Sequence, residues 1–237
     1  MQNKYAIIVA GGSGSRMGNS LPKQYQLLLG KPILMHTLAK FVQENDPVQI
    51  VLVLHAGMRD YWMELCKTHQ FTIPHQLVNG GESRFQSVRN GLQQILADRP
   101  AGEALVAIHD AARPLLSASL ITQSYSAAKT FGAAVVALPS SNSVRLGTQT
   151  ASKAVDRSQV WLVQTPQTFR LSLLEEAFKQ AESPLFTDDA SVVEQLGIKV
   201  HLIPGEQQNI KITFPEDLAI AALIMKAQGI QDIDSNP

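Results

Sequence analysis

The chain has 237 residues, 45% of them apolar, which suits one large domain or a domain with an extension. Twenty Lys and Arg balance twenty Asp and Glu with no basic run, which argues against a nucleic-acid partner but leaves room for a few cations to converge on a small anion. The single cysteine, Cys66, permits no internal disulfide, and neither a signal segment nor an apolar stretch near the roughly 20 residues of a membrane span is present, so a cytoplasmic protein is expected.

In chain order, short β-branched runs alternate with segments of helical period. YAIIVA (5–10) reads as a buried strand ending at glycines. PILMHTLAKFVQE (32–44) follows as a helix with Pro32 in its first turn, QIVLVLH (49–55) as a strand and RDYWMELCKTH (59–69) as a helix. QLVNGG (76–81) is extended and leads into a helix begun by Ser83, with Gln86 at capping-box spacing. ALVAIHD (104–110) is a strand, SLITQSYSAAKTFG a helix closed by Gly132, and AAVVALP (133–139) a strand. The alternation predicts an α/β fold, a Rossmann-like mostly parallel sheet with helices on both faces, whose ligands bind beyond the carboxyl ends of the strands.

The pattern then breaks. Residues 140–167 lack helical period and contain two β-like pieces around a Gly/Thr/Ser turn, which predicts a projecting hairpin. Such a hairpin packs on something else, making it a candidate dimerisation arm. Helices resume at SLLEEAFKQA and at TDDASVVEQLG, with Thr187 as cap and Gly197 as stop. KVHLIPG is a late strand, and TFPEDLAIAALIMKAQG a final helix with a Thr213–Glu216 capping pair and Pro215 near its start. The expected organisation is a single domain over 1–229, an inserted arm at 140–164 and a polar tail at 230–237.

Several motifs can carry chemistry. The turn AGGSGSRMG has glycines whose N–H groups can wrap a phosphate, but lacks the Gly-Lys-Ser/Thr of a P-loop and, with Met17, the third glycine of a dinucleotide fingerprint. It is either a plain strand-to-helix turn or a polyphosphate turn with Arg16 and Lys23 pointing in, a cation pair suited to charge developing on a phosphorane. In HDAARP, Asp110 ends an apolar strand, where a carboxylate can reach a nucleotide-borne Mg²⁺, and Arg113 can face a phosphate or pair with Asp110. His109 packs or orients, since transfer between phosphates needs no strong base. NGGESRFQS caps a helix through Ser83 and can add backbone contact to a nucleobase, with Ser87 one turn on. VDR and NIKIT place Arg157 and Lys211 in β-like contexts, where each is either solvated or turned to an anion. The six histidines show no zinc spacing, and TPQTF reads as a strand exit.

Taken in order, AGGSGSRMG, LPKQ, KPIL, NGGESR…S, HDAARP, VDR, TPQTF, TDDAS and NIKIT closely resemble the 2-C-methyl-D-erythritol 4-phosphate cytidylyltransferase family, over nearly the whole chain. The resemblance implies transfer of CMP from CTP to the polyol phosphate, with release of pyrophosphate and with Mg²⁺ as cofactor. By motif match it implies that Arg16 and Lys23 stabilise the transition state, and that Ala10, Gly11, Gly12 and Gly14 lie along the nucleotide. Gly81, Glu82 and Ser87 would recognise cytosine, Ala111 would lie near the ribose, and Asp110 would serve the metal. Arg157, from a partner's arm in a homodimer, and Lys211 would position the substrate phosphate, with Arg113, Ser143 and Thr187 near the polyol phosphate. Two alternatives stand beside it. In a ribitol-5-phosphate cytidylyltransferase, HDAARP becomes HDSVRP and VDR becomes PNR, whereas this chain has Ala111-Ala112 and Asp156-Arg157. A non-catalytic CTP-binding regulatory protein should have lost Arg16, Lys23 or Asp110, and all three are present.

Overall fold

The first apolar run forms β1 (Asn3–Ala10), whose period of two sends Ala6, Ile8 and Ala10 into one core cluster and Tyr5 and Ile7 into another. A computed structural model of the chain describes residues 3–11, 21–42 and 46–230. After β1 come the two-residue strands β2 (Leu27–Leu28) and β3 (Lys31–Pro32), then α1 (Ile33–Lys40), shorter than the 32–44 helix expected, with Pro32 as its N-cap. β4 (Gln49–Leu54), α2 (Arg59–Thr68), β5 (Gln76–Asn79), α3 (Arg84–Ala97), β6 (Ala104–Asp110), α4 (Ala118–Phe131) and β7 (Ala133–Pro139) follow as the alternation predicts. Gly132, at φ 85°, stops α4 in a conformation that disfavours a side chain.

β8 (Val144–Gly147) and β9 (Ser152–Val155) form the separate antiparallel hairpin. It is narrower than the 140–164 segment expected, because β10 (Trp161–Arg170) already pairs with β7 from Trp161 onward. TPQTF is therefore no strand exit but the middle of a sheet strand. Pro166 cannot donate to a ladder, and the strand accommodates it by a register shift between Val163 and Gln167, with a cis Thr165–Pro166 bond.

The remaining elements are α5 (Leu171–Ala177), α6 (Asp189–Glu194), β11 (His201–Pro204) and α7 (Pro215–Ala227). Two caps differ from expectation. α6 is capped by Asp188, not Thr187: Asp188 Oδ1 accepts from Ser191 N and Ser191 Oγ accepts from Asp188 N, a reciprocal box that a carboxylate fills better than threonine. At α7, Pro215 takes the first helical position, which makes Asp217 rather than Glu216 the third. Asp217 Oδ2 accepts from both Thr213 N and Phe214 N.

The seven-stranded sheet runs β11-β7-β10-β6-β1-β4-β5, with only β10 antiparallel to its neighbours. One face packs side chains of α1, α2 and α4, such as Leu34, Trp62 and Tyr125, and the other those of α3, α5 and α6, such as Val88, Leu174 and Val192. A smaller cluster seats α7 on the β2–β3 turn through Leu28, Ile212 and Met225. The order of connection reverses at β1, which lies between β4 and β6, so the carboxyl ends of β1 and β6 frame the crevice where such sheets hold ligands. Among the described residues no helix is long and apolar enough to cross a membrane.

Candidate active site at the sheet switch point

A cleft of about 780 Å³ opens there, and it gathers Ala10, Gly11, Lys23, Gly81, Glu82, Ser87, Asp110, Ala111 and Lys211 from five separate stretches of chain. Gly12, Gly14 and Arg16 lie outside the described residues. Backbone bonds set the meeting. Ala111 N donates to Val9 O (3.1 Å), joining the ends of β1 and β6, and Gly80 N donates to Leu54 O (2.6 Å), continuing the sheet into the glycine turn before α3. Ile212 N donates to Ala112 O (2.9 Å), which brings NIKIT beside HDAARP. Gln24 Nε2 donates to Ala10 O (2.8 Å) and so fixes the short 3₁₀ turn that carries Lys23.

The two glycine turns meet over Ser87. Its Oγ accepts from Gly81 N (3.1 Å), and a Cβ on Gly11 or Gly80 would stand 3.1 or 3.0 Å from that oxygen. A Cβ on Gly81 would fall 2.3 Å from Gln86 Cβ, a separation that no packing tolerates. Glycine is required here for close approach, as a site read through its backbone demands. Ser83 Oγ accepts from Gln86 N (3.1 Å), which is half of the expected capping box. The Gln86 side chain instead accepts from Glu82 N (3.1 Å) and donates to Glu182 Oε2 (2.9 Å).

Asp110 is the electrostatic centre. Its Oδ2 lies 2.9 Å from Lys211 Nζ and 3.5 Å from Arg113 Nε, and its Oδ1 lies 3.9 Å from Arg84 Nε. Burial pushes this carboxyl up, but Lys211, Arg84 and Arg113 outweigh it and hold it well below the usual carboxylate range. Arg113 is not among the cleft-lining residues; its Nη1 donates to Asn209 O (2.8 Å), so it braces Asp110 and the NIKIT segment together, a segment that is extended in sequence pattern but joins no sheet. His109 faces away from the cleft, edge-on to Phe41, and burial brings its pKa down to about 4. Among the described residues no three His, Cys, Asp or Glu side chains are grouped to hold a metal, and the carboxylates that line the cleft are Asp110, which is buried, and Glu82, which is exposed.

Three expected residues lie apart from the cleft in the single chain. Ser143 and Arg157 are exposed on the arm, where Arg157 Nη1 donates to Ser141 O (3.1 Å), and Thr187 is exposed just before α6. Conversely, the structure brings in residues that sequence reading had quoted only as parts of motifs. Arg84 lines the cleft and forks onto Asp189. Asn209 Nδ2 donates to Thr165 O (2.9 Å) and Gln167 Nε2 to Asp188 Oδ2 (2.9 Å), which ties NIKIT, TPQTF and TDDAS to one another beside the cleft. The sequence places each inside a motif but pairs none of them, because the partners stand at least 21 residues apart.

A glycine turn, a lysine and a cation-bound carboxylate at the switch point of an α/β sheet define a nucleotide-binding enzyme of the nucleotidyltransferase class. Residues 5–227 match the family model of 2-C-methyl-D-erythritol 4-phosphate cytidylyltransferase, and the chain belongs to that family. The protein of that name from Porphyromonas gingivalis is 48% identical over 225 residues, covering 94% of this chain and 98% of its own. That from Phocaeicola vulgatus is 44% identical over 223 residues, covering 94% and 100%. The crystal structure of the Francisella tularensis enzyme superposes with a TM-score of 0.79 at 35% identity, covering 94% and 99%.

Proposed function

We propose that this cleft transfers CMP from CTP to 2-C-methyl-D-erythritol 4-phosphate, giving 4-diphosphocytidyl-2-C-methyl-D-erythritol and pyrophosphate, a step of non-mevalonate isoprenoid synthesis. The observation that carries it is the convergence of Ala10-Gly11, Gly81–Ser87, Asp110 and Lys211 on one cleft beside Lys23. A phosphate monoester is largely dianionic at neutral pH, with its second pKa about 6, so its oxygen attacks without a general base. The difficulty is the approach of one anion to another, and cations answer it. The O–P bond forms at the α-phosphorus as the bridging oxygen to the β-phosphorus leaves with pyrophosphate. Arg16 and Lys23 stabilise the charge that develops on the pentacoordinate phosphorus.

The remaining roles divide the cleft. Ala10, Gly11, Gly12 and Gly14 follow the triphosphate, Gly81, Glu82 and Ser87 read cytosine, and Ala111 lies by the ribose. Lys211 and the Arg157 of a partner's arm position the attacking phosphate, with Arg113, Ser143 and Thr187 around the polyol phosphate. Asp110 fits a Mg²⁺ that arrives on the nucleotide, because one carboxylate completes a shell of phosphate oxygens and water. Bound there, Mg²⁺ neutralises charge on the phosphates. The enzyme works as a homodimer through the arm, in the cytoplasm; exposed Leu146, Trp161 and Leu162 on and beside the hairpin support the first, and the lone Cys66 the second.

The test is Mg²⁺-dependent release of pyrophosphate from CTP, with methylerythritol 4-phosphate and ribitol 5-phosphate offered separately. Strong turnover with the first alone is expected. Turnover favouring ribitol phosphate would keep the chemistry and overturn the substrate, and CTP binding with no release would show a non-catalytic protein.

A further inference from the structure

Arg84, in the first turn of α3, has no part in the roles above, yet its side chain lines the cleft and is 33% exposed. Its guanidinium forks onto Asp189 at the start of α6, Nη1 to Oδ1 and Nη2 to Oδ2, both at 2.6 Å. Asp189 is 1% exposed. Nε of the same guanidinium faces Asp110 Oδ1 at 3.9 Å. One planar group on α3 thus meets two carboxylates carried by two other elements.

Charge balance alone does not ask for this geometry. A lysine would neutralise Asp189 as a point charge, whereas a guanidinium locks onto a carboxylate plane by two parallel bonds and still presents a third N–H. Nor does stability explain it well, since a buried ion pair is often no better than packed apolar side chains. The anchor itself is held in place. Ala190 N donates to Gln167 Oε1 (2.9 Å) and Gln167 Nε2 to Asp188 Oδ2 (2.9 Å), so β10, the neighbour of β6 in the sheet, fixes where Asp189 stands. On Asp110, Oδ2 is engaged by Lys211 and Arg113, while Arg84 approaches Oδ1 without reaching hydrogen-bond distance.

We propose that Arg84 is a positioning residue for Asp110: Asp189 fixes the guanidinium, and the guanidinium holds Oδ1 of Asp110 toward the cleft as the oxygen that meets the cation of a metal–nucleotide. The inference rests on reading the cleft as a Mg·CTP site. It assigns the TDD segment a mechanical link to the nucleotide half of the cleft, through Asp189, Arg84 and Asp110. An outer residue that orients a ligand to a metal should affect metal affinity more than it affects binding of the nucleotide alone.

The experiment uses the full chain with Arg84→Lys, Asp189→Asn and the double variant. CTP binding is measured by calorimetry across a Mg²⁺ titration and without Mg²⁺, beside near-UV circular dichroism and thermal unfolding. The expected result is a native spectrum and little change in metal-free CTP binding, with the Mg²⁺ concentration that half-saturates the tightening of CTP raised roughly 10- to 100-fold. The double variant should be no worse than the poorer single one, because both break the same brace. A lowered melting temperature with an unchanged Mg²⁺ titration would overturn the inference and leave a structural ion pair. Should Arg84→Lys not fold, Asp189→Asn carries the same test, since it keeps the shape of the side chain. Wild-type turnover with unaltered Mg²⁺ dependence in the variants defeats this inference alone; a wild-type protein that does not bind Mg·CTP defeats the functional reading and this inference with it.

Discussion

Asp110 N–H donates to Thr165 Oγ1 (3.1 Å), the Thr165 hydroxyl donates to His109 Nδ1 (3.0 Å), and His109 Nε2–H donates to Arg113 O (3.1 Å). Burial brings the pKa of this imidazole down to about 4, so it is neutral near pH 7, and with Nε2–H on Arg113 O its Nδ1 is left to accept from Thr165. An unfolded histidine takes up its proton near pH 6.5, so between about pH 6.5 and 4 the unfolded state binds a proton that the native state refuses, and stability is lost as pH falls. His36 and His75, also depressed by burial, act in the same direction. Asp110, also held below its ordinary range, acts in the same direction but in a lower window: its stabilisation is full above the ordinary carboxylate range and is lost only as pH falls below it. Urea unfolding of the wild type should therefore show about 2 kcal/mol less stability from His109 at pH 5 than at pH 7. His109→Gln, which keeps a donor for Arg113 O, should remove most of that difference; an equal pH dependence in the variant would mean that His109 is not held neutral. The sequence reading sets His109 apart from a base, because transfer between phosphates needs no strong one. It could not show Thr165 as its partner, since 56 residues separate them and TPQTF carries no visible chemistry until β10 lies against β6.

At the scale of elements, apolar periodicity is enough to find the strands of the parallel core and helices α1 to α4, and at α4 Gly132 marks the stop as well. Helix ends were less legible, because neighbouring polar residues compete for the same orphan N–H groups and the winner depends on the register in which the helix packs. α7 makes the case. Its N-terminus is closed by Asp217 alone, through two backbone donors. Asp217→Ala should cost about 1 to 2 kcal/mol in chemical denaturation, whereas Glu216→Ala, one residue earlier and exposed, should stay within about 0.5 kcal/mol of wild type. At α6 the same logic separates two adjacent residues: Asp188→Ala should lower stability by about 1 kcal/mol through the lost cap, while Thr187→Ala should leave unfolding unchanged and act on the KM for the polyol phosphate. A matched loss of stability in both Thr187→Ala and Asp188→Ala would return the cap to a shared role. β10 was the element least open to sequence reading, because a proline in its centre speaks against a sheet strand until the register shift that absorbs it is seen.

For the whole molecule, the question is whether one chain makes one site. In the single chain Arg157 lies exposed beside the hairpin, bonded to Ser141 O, and two large apolar side chains are left in the open: Leu146 on the hairpin is 63% exposed and Leu162 at the start of β10 51%. A two-stranded hairpin is marginal in water by itself, and such a surface is expected to be covered by a second copy in a two-fold arrangement. If the arm then delivers Arg157 to the neighbouring cleft, each site combines Lys23 of one chain with Arg157 of the other. Lys23→Ala and Arg157→Ala homodimers should both be nearly inactive. Unfolded together and refolded as an equal mixture, half of the dimers should be mixed. In each mixed dimer one cleft lacks both cations and the other keeps both, so about a quarter of all clefts become whole and activity should return to about that fraction of wild type. The recovery requires no new contact, only exchange of partners, which distinguishes it from partial activity of either variant. No recovery, in a mixture shown by mass spectrometry to contain mixed dimers, would place Lys23 and Arg157 in the same chain's site or remove Arg157 from the chemistry. A mixture that runs as monomers on size exclusion at micromolar concentration while the wild type turns over would instead show that a single chain is sufficient.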